Sequence, residues 1–156
     1  MRRFALASFV GFFALSVYGI PNASAAGYTN ASLTGSFACF GSGYAQMKNA
    51  KGVSTWVPFN QVIQFTGDGS GAFTGSGTTN VAGLVCSGTF KGTGTTNPDG
   101  TGSATANNTP AASNPPQCPP AGAVHNVSVI TSPSSLYLIG TDPNGTGWAI
   151  CTKQTQ

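Results

Sequence analysis

The chain has 156 residues, and its composition excludes several classes of protein before any motif is considered. Charged residues make up only 6% of it, Glu is absent, and Arg2 and Arg3 stand at the extreme N-terminus. The remaining four lysines and three aspartates are scattered along the sequence. Such charges cannot form the basic patch that binds nucleic-acid phosphates, and the length fits one domain.

The first 25 residues are typical of an export signal. Arg2 and Arg3 precede an apolar run over residues 4–20, and Ala23-Ser24-Ala25 has the small-x-small pattern that signal peptidase cleaves. A retained anchor is the alternative, although the run is short for the roughly 20 residues of a membrane crossing. We predict a signal peptide at 1–25, one β domain at 26–156, a secreted or periplasmic location, and no membrane segment after cleavage.

The mature sequence is rich in Thr, Ser, Gly and aromatic residues, which favours strands and turns over helices. Over residues 56–65 the odd positions Val57, Phe59, Ile63 and Phe65 are apolar, which is the two-residue period of a half-buried strand. The other predicted strands are 35–40, 72–78, 84–95, 102–106, 124–130, 136–140 and 148–152.

Three turns share one formula and join these strands. They are Asp68-Gly69-Ser70-Gly71, Asp99-Gly100-Thr101-Gly102 and Asn144-Gly145-Thr146-Gly147. Asp-Gly and Asn-Gly accept the positive φ that tight hairpins need. The sequence therefore predicts an all-β antiparallel meander of about eight strands, as a small closed or partly open barrel; a two-layer sandwich is the alternative.

Four cysteines, an even number in an exported chain, predict two disulfides formed in an oxidising compartment. Three pairings are possible. We favour Cys39 with Cys151, which joins the first and last strands, and Cys86 with Cys118, which pins the Pro-rich segment 107–122 as a long loop. The cysteines lie far apart and there is one His, so we expect no metal site and no cofactor.

Four segments carry a resemblance to a known group of proteins. Leu33-Thr34-Gly35-Ser36-Phe37-Ala38-Cys39, Phe65-Thr66-Gly67-Asp68-Gly69-Ser70-Gly71, Cys86-Ser87-Gly88-Thr89-Phe90 and Asp99-Gly100-Thr101-Gly102 occur in that order. The chain resembles small exported bacterial proteins, most of them uncharacterised. The resemblance implies a meander with a calycin-like barrel, although Gly35-Ser36-Phe37 stands where a lipocalin has Gly-x-Trp.

Binding is the function that the residues favour. An antiparallel barrel of this size can hold one small apolar ligand, and inward phenylalanines would line its pocket. The candidate ligand-binding residues are Phe37, Phe59, Phe65, Phe73, Phe90 and His125. The alternative for the phenylalanines is a packed core. Tyr44, Trp56, Tyr137 and Trp148 can instead form an exposed platform that contacts an extracellular or envelope partner.

A hydrolase using His125 is the second hypothesis, and a structural or cell-surface protein is the third. His125 shares strand parity with Val127 and Val129, so it faces the interior if those valines do. There it can act as a general base with Ser128 or an Asp. The sequence has no Gly-x-Ser-x-Gly nucleophile elbow, which leaves His125 a weak candidate for catalysis.

Overall fold

Eight antiparallel strands form one sheet that closes on itself as a barrel, in the order β1 to β8. The structure, a computed structural model, describes residues 27–48 and 52–155, so the predicted signal peptide lies outside the described residues. The strands are β1 Gly35–Lys48, β2 Ser54–Gly67, β3 Ala72–Val81, β4 Leu84–Thr96, β5 Thr101–Pro110, β6 Gly122–Ser132, β7 Ser135–Gly140 and β8 Gly145–Lys153. The all-β meander is confirmed, and the sheet is a barrel rather than a sandwich.

Within residues 27–48 and 52–155, the structure contains no helix with the length and hydropathy of a membrane span.

The Pro-rich loop is shorter than predicted. Segment 107–110 belongs to β5, where Asn107 and Asn108 pair with Lys91 and Phe90 of β4. Pro110 is the last residue of this strand. The prediction of a loop over 107–122 was therefore wrong at both ends, and the loop proper spans residues 111–121.

The Asp-Gly turns lie where the sequence predicts them, with Gly69 at φ 81° and Gly100 at φ 87°. The third turn has a different geometry. The Gly145 N–H donates to the Asp142 carbonyl (3.2 Å), which makes Pro143 the second turn residue. Proline, with φ fixed near −65°, suits the second position of such a turn. Neither Asn144 nor Gly145 has the predicted positive φ, and Gly145 instead begins β8.

The two-residue hairpin between β3 and β4 was not predicted. β3 and β4 are joined by Ala82 and Gly83 alone, with φ of 50° and 93°. The Gly83 N–H donates to Asn80 Oδ1 at 2.8 Å. Positive φ at both central residues is the hairpin geometry that favours Asn-Gly. Ala is rare in that conformation because its Cβ crowds the following carbonyl, so Ala82 carried no turn signal.

Ala82→Asn is expected to raise the free energy of unfolding by about 0.5–1 kcal/mol, since Asn tolerates positive φ better than Ala. Urea unfolding measures the change. Ala112→Asn, in an exposed loop position without positive φ, is the matched control and is expected to be neutral. A loss of stability in Ala82→Asn alone would contradict the turn geometry.

A short 3-10 helix, Asn30–Leu33, covers one end of the barrel. The Asn30 side chain joins two turns there, because its Nδ2 donates to the Ser70 carbonyl (3.0 Å) and its Oδ1 accepts from the Thr96 N–H (2.9 Å). Tyr28 and Leu33 pack against the buried core. The fully closed core lies at this end and consists of Phe37, Cys39, Ile130, Leu136, Ala149 and Cys151.

Both predicted disulfides are present. Cys39 bonds to Cys151, and the two are direct partners in the β1–β8 ladder with a Cα–Cα distance of 4.0 Å. Cys86 bonds to Cys118, which ties the 111–121 loop to β4. Two disulfides indicate that the chain folds in an oxidising environment.

Candidate functional site

A cavity of about 380 Å³ occupies the barrel interior. It reaches from Leu33, the last residue of the 3-10 helix, to Pro119 and Pro120 in the 111–121 loop at the opposite end. Most of its lining is apolar, and the larger apolar residues of this lining include Phe59, Ile63, Phe65, Phe73, Val81, Phe90, Leu136 and Leu138. The barrel is therefore a cup with a filled base rather than a solid core.

Cross-strand pairs of Phe and Gly shape the wall of this cavity. Phe73 pairs with Gly92, and Phe90 pairs with Gly75. Each ring lies over its glycine: a Cβ on Gly92 would meet Phe73 Cζ at 2.6 Å, and one on Gly75 would clash with Phe90 Cζ. An aromatic ring that covers a strand glycine recovers packing that the glycine lacks. Because the rings lie against the sheet, the barrel axis stays open.

Replacing one of these glycines should disturb the wall. Gly92→Ala places a methyl group 2.6 Å from the Phe73 ring and 2.9 Å from Ala106 Cα, so we expect a loss of about 1–3 kcal/mol in unfolding free energy from overpacking. Gly122→Ala is the control, since a Cβ there meets nothing within 4 Å. Equal stability of the two variants in thermal melts would contradict the ring-over-glycine packing.

Three neutral amide side chains face the cavity from different strands. Gln61 lies on β2, Asn108 on β5 and Asn126 on β6, and all three line the cavity. No hydrogen bond from these side chains to another protein group occurs within residues 27–48 and 52–155. They leave donors and acceptors inside a mostly apolar space, the usual way in which a small-molecule site orients its ligand.

The 111–121 loop is fixed over the cavity by two attachments. Asn114 Oδ1 accepts from the Ser87 N–H (2.9 Å), and Asn114 Nδ2 donates to the Ser87 carbonyl (2.7 Å). Next to Ser87 on β4, Cys86 points inward and is buried, and it bonds to Cys118 of the loop. These attachments hold Pro119 and Pro120 against the cavity.

Four of the five predicted phenylalanines line the cavity: Phe59, Phe65, Phe73 and Phe90. Phe37 does not. It is 1% exposed and stacks on Phe65 at 4.9 Å between ring centroids, with Lys153 Nζ 5.9 Å from its ring. Phe37 was therefore wrongly grouped with the ligand-binding residues, because its position near the start of β1 places it in the filled base.

His125 faces away from the cavity, contrary to the prediction that it points inward. The even residues of β6, including Ser128, are turned inward, whereas Val127 and Val129 are exposed. The sequence rule that apolar residues face the interior fails on this strand, because valines occupy both faces. His125 and Ser128 consequently lie on opposite faces of the sheet, so of the two predicted partners, Ser128 or an Asp, the Ser128 alternative was wrong.

The partner of His125 is Asp142, in the turn between β7 and β8. Asp142 Oδ1 lies 2.8 Å from His125 Nδ1, and Asp142 Oδ2 accepts from the His125 N–H at 2.9 Å. Partial burial opposes ionisation of Asp142, but these hydrogen bonds and the imidazole charge outweigh it and lower the pKa of the carboxyl. In the described part of the chain, no hydroxyl bonds to the other ring nitrogen, so the pair has no nucleophile beside it.

All three aspartates have hydrogen bonds that favour the ionised form. The Ser70 hydroxyl and N–H lower the pKa of Asp68, and the Thr101 hydroxyl and N–H lower the pKa of Asp99. In both cases the ordinary value is 3.8, and each carboxylate ties its own turn together. These turns therefore depend on ionised aspartates.

Acid is expected to destabilise the barrel through these turns. A carboxyl whose pKa is lower in the folded state contributes stability that is present above its ordinary pKa and lost as the pH falls through the folded value. We expect the melting temperature to be flat above about pH 5 and to fall below about pH 4. The Asp68→Asn/Asp99→Asn/Asp142→Asn variant should show a shallower fall; an unchanged slope would contradict this origin of the acid sensitivity.

Comparison with known proteins does not identify the chain, because no protein family, curated protein or solved structure matches it.

Proposed function

We propose that this protein is an exported, non-enzymatic binding protein that holds one small, neutral, largely apolar molecule inside its barrel. The observation that carries the proposal is the cavity of about 380 Å³ lined by Phe59, Phe65, Phe73 and Phe90. That volume falls within the roughly 300–1,000 Å³ of small-molecule sites. The two disulfides and the predicted signal peptide support export.

The lining supports a neutral ligand. Gln61, Asn108 and Asn126 offer amide donors and acceptors, and the acid among the lining residues, Asp142, is already engaged by His125. A buried charge on the ligand would lack a free counter-ion here, which is costly in an apolar site. The ligand is therefore a molecule with an apolar body and one or two uncharged polar groups, such as a carbonyl or a hydroxyl.

Uptake of a neutral fluorescent probe, N-phenyl-1-naphthylamine, tests the proposal. We expect saturable binding with one molecule per chain. Thr79→Phe, which adds an aromatic ring to the cavity wall of β3, is expected to weaken binding by about tenfold or more. Native mass spectrometry of freshly purified protein should show a retained ligand that the probe displaces.

The matched control is Thr78→Phe, the same change on the adjacent residue, which is exposed on the outer face of β3. It is expected to bind the probe like the wild type, and so is His125→Ala. Absence of saturable uptake, or equal binding by the Thr78 and Thr79 variants, would contradict binding in the cavity. Loss of uptake in His125→Ala alone would indicate that the probe binds on the outer surface rather than in the cavity.

A further inference from the structure

The outside of the barrel carries a continuous apolar surface that the cavity does not explain. The strand registers place five apolar side chains in one row across five strands: Val129, Tyr137, Ile150, Phe40 and Val62. A second row beside it holds Val127, Ile139 and Trp148. Phe40 and Trp148 join the rows through an edge-to-face contact with centroids 6.4 Å apart. We call these eight residues the apolar wall.

The apolar wall is large for a surface in contact with water. Its side chains are between 39% and 57% exposed. Since an aromatic side chain has roughly 150–250 Å² of surface and Val or Ile somewhat less, the wall leaves on the order of 600 Å² of apolar area exposed. Patches above a few hundred Å² on soluble proteins mark interaction sites.

The other half of the barrel shows that this fold does not need an apolar exterior. On β3, β4 and β5 the outward positions carry mainly hydroxyl side chains, among them Thr74, Ser76, Thr78, Thr93, Ser103 and Thr109. On β8 the larger residues are the outward ones, since Trp148 and Ile150 alternate with the inward Gly147 and Ala149. The apolar residues of the wall are therefore not on the outside because the inward positions are already filled by large side chains.

We infer that the apolar wall is the interface of a homodimer, in which two copies pack wall against wall about a two-fold axis. A stable interface buries about 800 Å² on each partner, and the exposed apolar area of the wall, on the order of 600 Å², supplies most of that. The wall contains no charged residue, so two copies face each other without like-charge repulsion. Aromatic residues at the centre and depletion of charge are typical of the cores of such interfaces.

Charge also favours a second copy over a charged partner. The described ranges contain three lysines and three aspartates, and none of them lies on the wall. A strongly acidic or basic protein would find no complementary charge there, whereas an identical wall matches in polarity. In an isologous contact the same patch serves both subunits, so one apolar surface is sufficient.

Sedimentation velocity of the exported chain tests the inference. The wild type is expected to sediment as a dimer at concentrations well above about 1 μM. Phe40→Thr/Ile150→Thr removes two directly paired apolar residues from the centre of the wall and places threonine, a residue with high strand propensity, at both positions. We expect its dimer Kd to rise by about tenfold or more, with unchanged circular dichroism and unchanged uptake of the cavity probe.

Val85→Thr is the matched control. Val85 is as exposed as Phe40, at 55%, but lies on β4 among the hydroxyl residues. This variant is expected to remain a dimer. A wild type that stays monomeric at about 100 μM, or a dimer that the double substitution leaves unchanged, would overturn the inference. A monomer that binds phosphatidylcholine vesicles through the wall would also overturn it and assign the wall to a lipid surface.

A second measurement does not depend on folding of the wall variant. In Trp56→Phe protein, the emission of the one remaining tryptophan, Trp148, reports on the wall directly. Dilution through the dissociation range is expected to shift this emission to longer wavelength as Trp148 becomes hydrated. Emission that stays constant while the same sample passes from dimer to monomer on dilution would show that the dimer uses another surface and would overturn the inference.

Discussion

The barrel depends on the pairing of its first strand with its last. β1 and β8 meet along a ladder from Phe37↔Lys153 to Ala45↔Gly145, and within it Cys39 bonds covalently to its direct partner Cys151. Without this seam the sheet would have two free edges, in a chain with few charges to discourage pairing between molecules. The seam joins residues 112 apart in sequence, and a disulfide across that distance offsets about 4–5 kcal/mol of loop-closure entropy in the chain-entropy account.

Closure with eight strands fixes a narrow interior, and the sizes of the inward residues decide whether that interior is solid or hollow. At the base, Phe37 and Leu136 fill it beneath the 3-10 helix. Higher up, glycines occupy inward positions opposite the phenylalanines. A Cβ on Gly43 or Gly147 would lie within 3 Å of Phe59 Cζ, so the ring takes the space of two absent side chains. The cavity results from this alternation of the largest and smallest residues around the inner surface of the barrel.

Much of this architecture could be predicted from the sequence because it depends on local signals. The period-two pattern of β2, the Asp-Gly turns and the disulfide between first and last strands each have a direct physical cause. The failures also have causes. Val127 and Val129 follow the apolar pattern of an inward face yet point outward. His125 has the same strand parity and therefore points outward as well. Ala82 adopts a positive φ although it is not one of the residue types, Gly, Asn or Asp, from which a positive φ is predicted. The amides of Gln61, Asn108 and Asn126 gave no signal, because their convergence depends on closure of the barrel.

The outward valines and the apolar outer surface, of which the sequence predicted only the exposed Tyr137 and Trp148, have one explanation. A strand that is apolar on one face has one covered face, and a strand that is apolar on both faces is normally covered on both. On β7, Leu136 and Leu138 point inward while Tyr137 and Ile139 point outward, so this strand has the composition of one buried between two layers. The barrel supplies only the inner layer. Because alternate residues serve opposite faces, the inner and outer surfaces of β7 and β8 are separated by one sheet, and a substitution on one face leaves the side chains of the other face in place.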